Sequence, residues 1–351
     1  MFAVCIGYSL VYSSSDSCDR LQLQHSAIPV ILLAMLLILY VGLRPVSWLF
    51  SDMKMYAHTY ENTAIHFTIG QSEWIFAGLM VVCKSLGLST QQFFLLVAFL
   101  YIYLCFATCR KLLQENPMMA FLFIISAFSF WGYGTNGIRN GLAGSIMLLG
   151  MAYGIDKKWF TSILLMYIAM SVHRSMTLPI VTFLAASTII RKPRTAVYFW
   201  IVSIALSLIF GTQITNFFSA LGFDERMSNY AIMSSSWAIQ FSHTGFRWDF
   251  LLYSAVPIAL TWYIAEYKGI QDMSFNILAN TYILSNAFWV MVIRSAFSNR
   301  FAYLSWFMYP VVIAYALIRI PIWQDQDKKV GLALLAHASF TIFMFMIGKL
   351  Y

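Results

Sequence analysis

Long runs of apolar residues without a charged side chain dominate the chain, and short polar segments separate them. Thirteen runs of at least 15 residues contain no Asp, Glu, Lys or Arg. They are residues 1–15, 21–43, 85–109, 116–138, 140–155, 159–173, 175–190, 195–223, 227–246, 250–265, 273–293, 301–318 and 330–348. A helix needs about 20 apolar residues to cross a bilayer. Eleven of these runs therefore predict membrane-spanning helices.

The other two runs fit a membrane span less well. Residues 227–246 are rich in Ser, Asn, Gln and His, which predicts a loop or a surface helix. Residues 1–15 are apolar over only about twelve positions, short of the length that a span requires. Whether this first run crosses the bilayer stays open.

Two long connections interrupt the pattern. The segment 44–84 contains a ten-residue apolar stretch, Trp74–Cys83, which predicts an outer re-entrant segment or a twelfth span. The segment 213–247 predicts a long outer loop. The ten-residue alternation typical of membrane barrels does not recur. The predicted fold is all-α, a polytopic integral membrane helical bundle of about 11–13 transmembrane helices, with residues 1–351 as a single domain.

Composition excludes a soluble protein of this size. The chain is 60% hydrophobic and 10% charged, whereas soluble domains are about 45–50% apolar and about 25% charged. No soluble core of 351 residues could cover that much apolar surface. A soluble enzyme, a disordered chain and a disulfide scaffold are therefore excluded.

The basic residues predict the orientation of the bundle. Eleven of them fall in one set of short connections: Arg110, Lys111, Lys157, Lys158, Arg191, Lys192, Arg194, Lys268, Arg319, Lys328 and Lys329. The alternate set holds six: Arg139, Arg174, Arg226, Arg247, Arg294 and Arg300. Cytoplasmic loops carry the excess of Lys and Arg, so the first set is predicted to be cytoplasmic. The formal charge of +8 then reflects orientation, and we expect no nucleic-acid partner.

The predicted outer side carries arginine and no lysine among these residues. A guanidinium group binds phosphate oxygens in a bidentate manner, whereas an ammonium group acts as a point charge. Arg139 lies where a helix is expected to begin, and a cation opposes the helix dipole there. A nearby anion, such as a lipid phosphate or a diphosphate substrate, would compensate. The alternative role for Arg139 is an interfacial anchor.

Other outer residues are candidates for chemistry. His173 and Arg174 lie between two apolar runs, where His173 could accept a proton and Arg174 could bind an anion. A snorkelling turn is the alternative. Arg294 and Arg300 flank a short hairpin. The position of Arg294 at a helix end predicts that it is immersed in the membrane, which favours a functional role for this residue. The remaining group, Asp224, Glu225, Arg226, His243, Arg247 and Asp249, suits a surface ion-pair cluster.

Several classes of chemistry lack their motifs. The sequence contains no P-loop, no glycine-rich nucleotide fingerprint, and no HExxH or CxxC pair. ATP-driven transport and structural zinc therefore have no support. His337 is the one ionisable side chain expected near mid-membrane, where a packed neutral imidazole is the commoner state.

Three short motifs resemble the EpsG family of Wzy-like polysaccharide polymerases. The first is Gly-Leu-Arg-Pro at 42–45, followed by Asp52, Tyr56 and Glu73–Trp74; the second is 137–143, and the third is 172–176. Residues 28–190 carry most of the likeness, and the C-terminal half matches loosely.

The resemblance implies a multi-pass glycosyltransferase at the outer face of a bacterial inner membrane. Such polymerases transfer a growing glycan from undecaprenyl diphosphate to the end sugar of another lipid-linked repeat unit, without metal or nucleotide. The expected partners are these lipid-linked glycans, the lipid bilayer and a chain-length regulator. His173 is then the first candidate for the general base, and Glu73 is the second. The candidate diphosphate ligands are Arg139, Arg174, Arg294, Arg300, Arg247 and Arg44.

Three other classes stay open from the residues alone. A lipid-linked sugar flippase would share the arginines but usually shows inverted repeats, which are not found here. A membrane acyltransferase would use a deep His, for which only His337 could serve. A structural subunit of an envelope complex would need no outer arginines.

Overall fold

The computed structural model describes residues 2–15, 27–47, 50–63, 73–220, 245–295 and 298–347. Within these ranges all regular secondary structure is helical. The helices of the first half are α1 (Phe2–Ser14), α2 (Ala27–Gly42), α3 (Ser51–Asn62), α4 (Trp74–Ser85), α5 (Thr90–Leu112), α6 (Pro117–Ser126), α7 (Phe128–Thr135), α8 (Ile138–Ile155) and α9 (Trp159–Val172). A 3-10 turn, Arg174–Met176, follows α9.

The second half continues with α10 (Thr177–Thr188), α11 (Pro193–Ala220), α12 (Trp248–Trp262), α13 (Met273–Met291), α14 (Asn299–Trp306), α15 (Tyr309–Arg319) and α16 (Gln326–Met346). A π-helical turn, Tyr263–Tyr267, extends α12. The prediction of an all-α membrane bundle is confirmed, because five helices are long and apolar enough to cross a membrane. They are Thr90–Leu112, Pro193–Phe217, Trp248–Tyr267, Asn299–Arg319 and Gln326–Met346.

A sixth span is formed if α6 and α7 are counted together, although they are bent by 70°. This number is lower than the number of apolar runs because several runs form shorter helices. The run 159–173, for example, yields the 14-residue helix α9. The apolar stretch after Glu73 forms the 12-residue helix α4. Helix α11 reaches Ala220, so it includes the start of the predicted loop 213–247; residues 221–244 lie outside the described part of the chain.

Local sequence signals account for several helix starts. Ser89 accepts from the backbone N–H of Gln92, whose side chain accepts from the Ser89 N–H, a capping box that begins α5. The side chain of Asn116 accepts from the backbone N–H of Met119 and caps α6, with Pro117 at its first turn. Asp272 accepts from the N–H of Phe275 and begins α13.

The contacts divide the chain into two compact units. The first comprises residues 1–176 and 313–351, and the second comprises residues 177–312. In the first unit α8 packs between α5 and α9, and α1 packs along α16. Lys111 and Asp156 form an ion pair that joins the C-terminal ends of α5 and α8.

Buried polar contacts hold the second unit around α13. Asn286 on α13 accepts a 2.8 Å hydrogen bond from the indole of Trp200 and donates a 2.9 Å bond to Ser305. The indole of Trp306 donates to the Ser254 hydroxyl at 2.7 Å. In a membrane, where water offers no competing partner, such bonds fix one packing of apolar helices.

Candidate functional site

Glu73 is the central residue of a cluster at one end of the first unit. It immediately precedes α4 with φ 61° and ψ 30°, in the left-handed region. A residue other than glycine held there costs on the order of 1–3 kcal/mol, and such strain is concentrated at functional sites. The conformation directs the carboxylate toward the ends of α8 and α9.

One carboxylate oxygen of Glu73 bonds the imidazole. His173 follows the last residue of α9, and its Nδ1 forms a hydrogen bond with Oε1 of Glu73. The backbone N–H of Arg174 donates to the same oxygen at 3.3 Å. His173 is only 5% exposed. Because an ionised carboxylate only accepts hydrogen bonds, Nδ1 carries the proton, and in the neutral ring the lone pair is on Nε2.

The other carboxylate oxygen bonds an arginine. Arg139, the second residue of α8, places Nη1 2.5 Å from Oε2 of Glu73. The two side chains are 19% and 18% exposed, so this ion pair is largely shielded from water. The guanidinium carbon lies 5.9 Å from the ring centroid of Tyr56 on α3. The Nε atom of Arg139 is buried and has no hydrogen-bond partner among the described residues.

The charges of this cluster determine the state of the carboxyl group. Burial by itself would raise the pKa of Glu73. The hydrogen bond and the charge of His173, together with the charge of Arg139 and the N–H of Arg174, outweigh burial and lower that pKa to about 2. Glu73 is therefore ionised at neutral pH, which makes it a poor proton acceptor and a strong partner for an imidazolium.

Arg44 has a different environment from Arg139. It is 9% exposed, donates to the backbone carbonyl of Val41, and donates to that of Thr135 at 2.7 Å. Its guanidinium carbon lies 5.7 Å from the Phe50 ring centroid and 5.9 Å from that of Phe94. Burial lowers its pKa to about 10, so it stays charged at neutral pH. These contacts favour a structural role, and diphosphate binding by Arg44 stays a prediction.

The other predicted ligands have varied surroundings. Arg174 belongs to the first unit and is exposed. Arg247, Arg294 and Arg300 belong to the second unit. Arg247 forms a bidentate ion pair with Asp249, with contacts of 2.9 and 2.8 Å. This pair agrees with the surface ion-pair cluster that the sequence predicts for the group containing both residues. Residues 224–226 and 243 of that group lie outside the described ranges.

Arg294 is exposed at the end of α13, and its aliphatic stem crosses α11 at Gly211. A Cβ atom at residue 211 would lie 2.9 Å from Cδ of Arg294. Arg300 is partly exposed, and its backbone N–H bonds Oδ1 of Asn299 at 3.0 Å. The structure thus brings Glu73, His173, Arg139 and the Arg174 backbone together, and diphosphate binding by the second-unit arginines stays a prediction.

Sequence reasoning missed Asn136. Its Oδ1 accepts a 2.9 Å hydrogen bond from the backbone N–H of Asp52, which ties the start of α3 to the turn before α8. An Asn directly before a Gly and an expected helix start is a usable signal for such a turn residue. Nothing in the sequence, however, points to its partner 84 positions away.

His337 is packed as expected from the sequence. Its Nδ1 lies 2.8 Å from the hydroxyl of Ser126, and its ring centroid lies 5.9 Å from that of Phe123. Within the described ranges, no group of three or more His, Cys, Asp or Glu residues is placed to hold a metal ion. The expectation that the protein works without metal stays a prediction.

The chain matches a known protein family. The model of the EpsG family matches residues 27–351, nearly the whole chain. No curated protein and no solved structure matches it. The match includes all three motifs that carry the resemblance and every residue of the Glu73 cluster. The chain belongs to the EpsG family, a Wzy-like family of membrane proteins of polysaccharide biosynthesis.

Proposed function

We propose that the protein is a glycosyltransferase that polymerises undecaprenyl-diphosphate-linked oligosaccharide repeat units at the periplasmic face of a bacterial inner membrane. The observation that carries the proposal is the convergence of His173 and Arg139 on one ionised carboxylate, that of Glu73. This arrangement supplies a proton acceptor and a phosphate-binding group side by side.

The reaction needs one proton acceptor. A hydroxyl of the acceptor sugar attacks the anomeric carbon of the donor glycan, and its proton passes to Nε2 of His173. Glu73 holds the imidazole by Nδ1 and stabilises the imidazolium that forms, as the carboxylate of a catalytic triad does. Its own low pKa makes Glu73 a positioning residue and leaves His173 as the base.

The reaction also needs a group that receives negative charge. The bond from the anomeric carbon to the diphosphate oxygen breaks, and undecaprenyl diphosphate leaves with the electron pair. Arg139 has an unpartnered, buried Nε–H among the described residues, and Arg174 lies exposed beside His173. Preorganised guanidinium groups stabilise such charge without reorganising during the reaction. Diphosphate binding by Arg294 and Arg300, which belong to the second unit, stays a prediction.

The position of the cluster supports an assignment to the periplasmic face. Arg139 is at the start of α8, and the Lys111–Asp156 pair is at the opposite end of that helix. Lys111 belongs to the basic set that predicts the cytoplasmic side. The Glu73 cluster would then face the compartment into which lipid-linked repeat units are delivered, where a chain-length regulator could act on the product.

The test is elongation in a purified system. Protein in proteoliposomes is supplied with a defined undecaprenyl-diphosphate-linked repeat unit and no nucleotide, and products are separated by size. Longer lipid-linked glycans, absent with His173→Ala, are the expected result. Movement of the lipid-linked unit across the bilayer without any new glycosidic bond would identify a flippase and contradict the proposal.

A further inference from the structure

Arg44 links the ends of two helices that are distant in the sequence. Its guanidinium donates to the carbonyl of Val41, near the C-terminus of α2, and to that of Thr135, the last residue of α7. Both acceptors lie where helices leave carbonyls without intrahelical partners and where the dipole is negative. A buried cation there satisfies both groups at once.

Several contacts immobilise this arginine. Phe50 and Phe94 lie near its guanidinium, and Gln91 donates to the carbonyls of Gly42 and Arg44 at 2.6 and 3.2 Å. Helix α2 also approaches α5 closely, since a Cβ at Gly42 would lie 2.8 Å from the backbone of the facing helix. Arg44 is therefore held from its own backbone as well as through its side chain.

The same segment makes a second contact with the turn before α8. Asp52 donates its backbone N–H to Asn136, the residue directly after Thr135. Residues 135 and 136 are thus each bonded to the segment 44–52, one by the Arg44 side chain and one by the Asp52 backbone. Arg139 follows this doubly held turn by only three residues.

We propose that Arg44 is a positioning residue for Arg139 and touches no substrate, in place of the diphosphate-binding role predicted for it from the sequence. Its bond to Thr135 fixes the end of α7, the Asn136 contact fixes the turn, and the two together set where Arg139 meets Glu73. This inference rests on the proposed function, in which Arg139 receives the charge of the departing diphosphate. A displacement of about 1 Å in such a group can cost about 10²-fold in rate.

A double-mutant cycle tests whether the effect of Arg44 on elongation depends on Arg139. Elongation is measured for the wild type, Arg44→Met, Arg139→Met and the double variant, with kcat and KM for the lipid-linked donor. We expect Arg44→Met to lower kcat by about 10- to 100-fold in the wild type. In the Arg139→Met background it should change kcat less than about twofold, because groups that act as a unit are non-additive.

The cycle has a matched control in the same unit. Arg319 donates to the carbonyl of Leu112, at the end of α5, with a 3.1 Å bond of the same kind. That end of α5 lies about 33 Å from the start of the helix, which is the end that contacts the Arg44 segment, at 1.5 Å per residue. Arg319→Met should leave kcat per folded molecule unchanged. An equal loss from Arg44→Met in both backgrounds, or a rise in KM alone, would mean that Arg44 binds substrate directly and would overturn the proposal.

A milder variant covers the case in which Arg44→Met does not fold. Asn136→Ala removes only the Asp52 contact, and we expect it to lower kcat about fivefold, the equivalent of one hydrogen bond. That loss should again disappear in the Arg139→Met background. Retention of the full loss there would contradict positioning.

An activity-independent measurement separates this proposal from the proposed function. A short thiol-specific crosslinker should join Asp52→Cys to Asn136→Cys, identified by mass spectrometry of the linked peptides. Arg44→Met, or Arg44→Lys if Met is not tolerated, should lower the crosslinking yield, whereas Arg319→Met should not. An undiminished yield overturns the positioning role even if the wild type elongates glycans. If Arg44→Met lowers the crosslinking yield but the wild type does not elongate glycans, only the proposed reaction is refuted.

Discussion

Glu73 and Arg139 form an ion pair, with Nη1 of the arginine 2.5 Å from Oε2 of the carboxylate, across 66 positions of sequence. The second oxygen of Glu73 bonds His173, so one carboxylate contacts both the proposed base and the proposed diphosphate ligand. Under the proposed function, a diphosphate that competes for Arg139 would leave more of the Glu73 charge acting on His173, so we expect donor binding to strengthen the proposed base.

His173→Ala should lower kcat for elongation by about 10²- to 10⁴-fold, since that is the usual contribution of a general base. The KM for the lipid-linked donor should change little, because in the proposed reaction the imidazole acts on the acceptor hydroxyl and not on the donor. His58→Ala is the matched control, an exposed His on α3 in the same unit. Equal activity of the two variants in the size-separation assay would remove His173 from the reaction.

Glu73→Gln should keep the shape of the side chain and remove its charge. Without the carboxylate the protonated imidazole of His173 loses its ion-pair partner, so the acidic limb of the pH–rate profile should move to lower pH. The profile is measured as kcat/KM against pH. An unmoved acidic limb would show that Glu73 does not act through His173.

Glu73 should also make stability depend on pH in the acid range. Its folded-state pKa is about 2, below the ordinary value of 4.5. The ionised carboxylate therefore stabilises the fold above pH 4.5, and this stabilisation is lost as the pH falls toward 2. The Tm of the wild type in detergent should drop more steeply over that range than the Tm of Glu73→Gln. Parallel curves would contradict the assigned pKa.

Gly141→Ala should disturb the turn that carries Arg139. A Cβ at residue 141 would lie 3.0 Å from the carbonyl oxygen of Tyr133, so α8 must shift away from α7, at a cost of about 1–3 kcal/mol. We expect a lower Tm together with a lower kcat. Gly7→Ala on α1, where a Cβ meets no atom within 4 Å, is the control and should be neutral. A Gly141→Ala variant as stable and active as Gly7→Ala would be inconsistent with the close approach.

Arg294→Lys should raise the KM for the lipid-linked donor about tenfold if the bidentate guanidinium fork binds diphosphate, because an ammonium group keeps only the charge. The matched control is Arg194→Lys, also exposed and in the second unit, whose Nε donates to the hydroxyl of Tyr198. An unchanged KM for both variants would leave diphosphate binding to the first unit alone.

The pattern of apolar runs predicted where helices occur more successfully than it predicted how long they are. The run 116–138 contains no charged residue, yet its helix is broken at Ala127, with neither Gly nor Pro at that residue to mark the break. The break is supported by contacts from outside the run, such as His337 on Ser126. The close contact between Gly211 and the aliphatic part of the Arg294 side chain could not be predicted from the sequence either, because it depends on the packing of α11 on α13.

The sequence by itself determined the membrane environment of this protein and pointed to two residues of its candidate site. The excess of apolar residues requires a bilayer, and His173 and Arg139 were identifiable from their positions at the ends of apolar runs, because both properties are local. Only the tertiary structure decided that Glu73 adopts a left-handed backbone, that its carboxylate joins those two residues, and that Arg44 is buried against helix ends. These features depend on contacts between segments up to 100 positions apart, which no local pattern encodes.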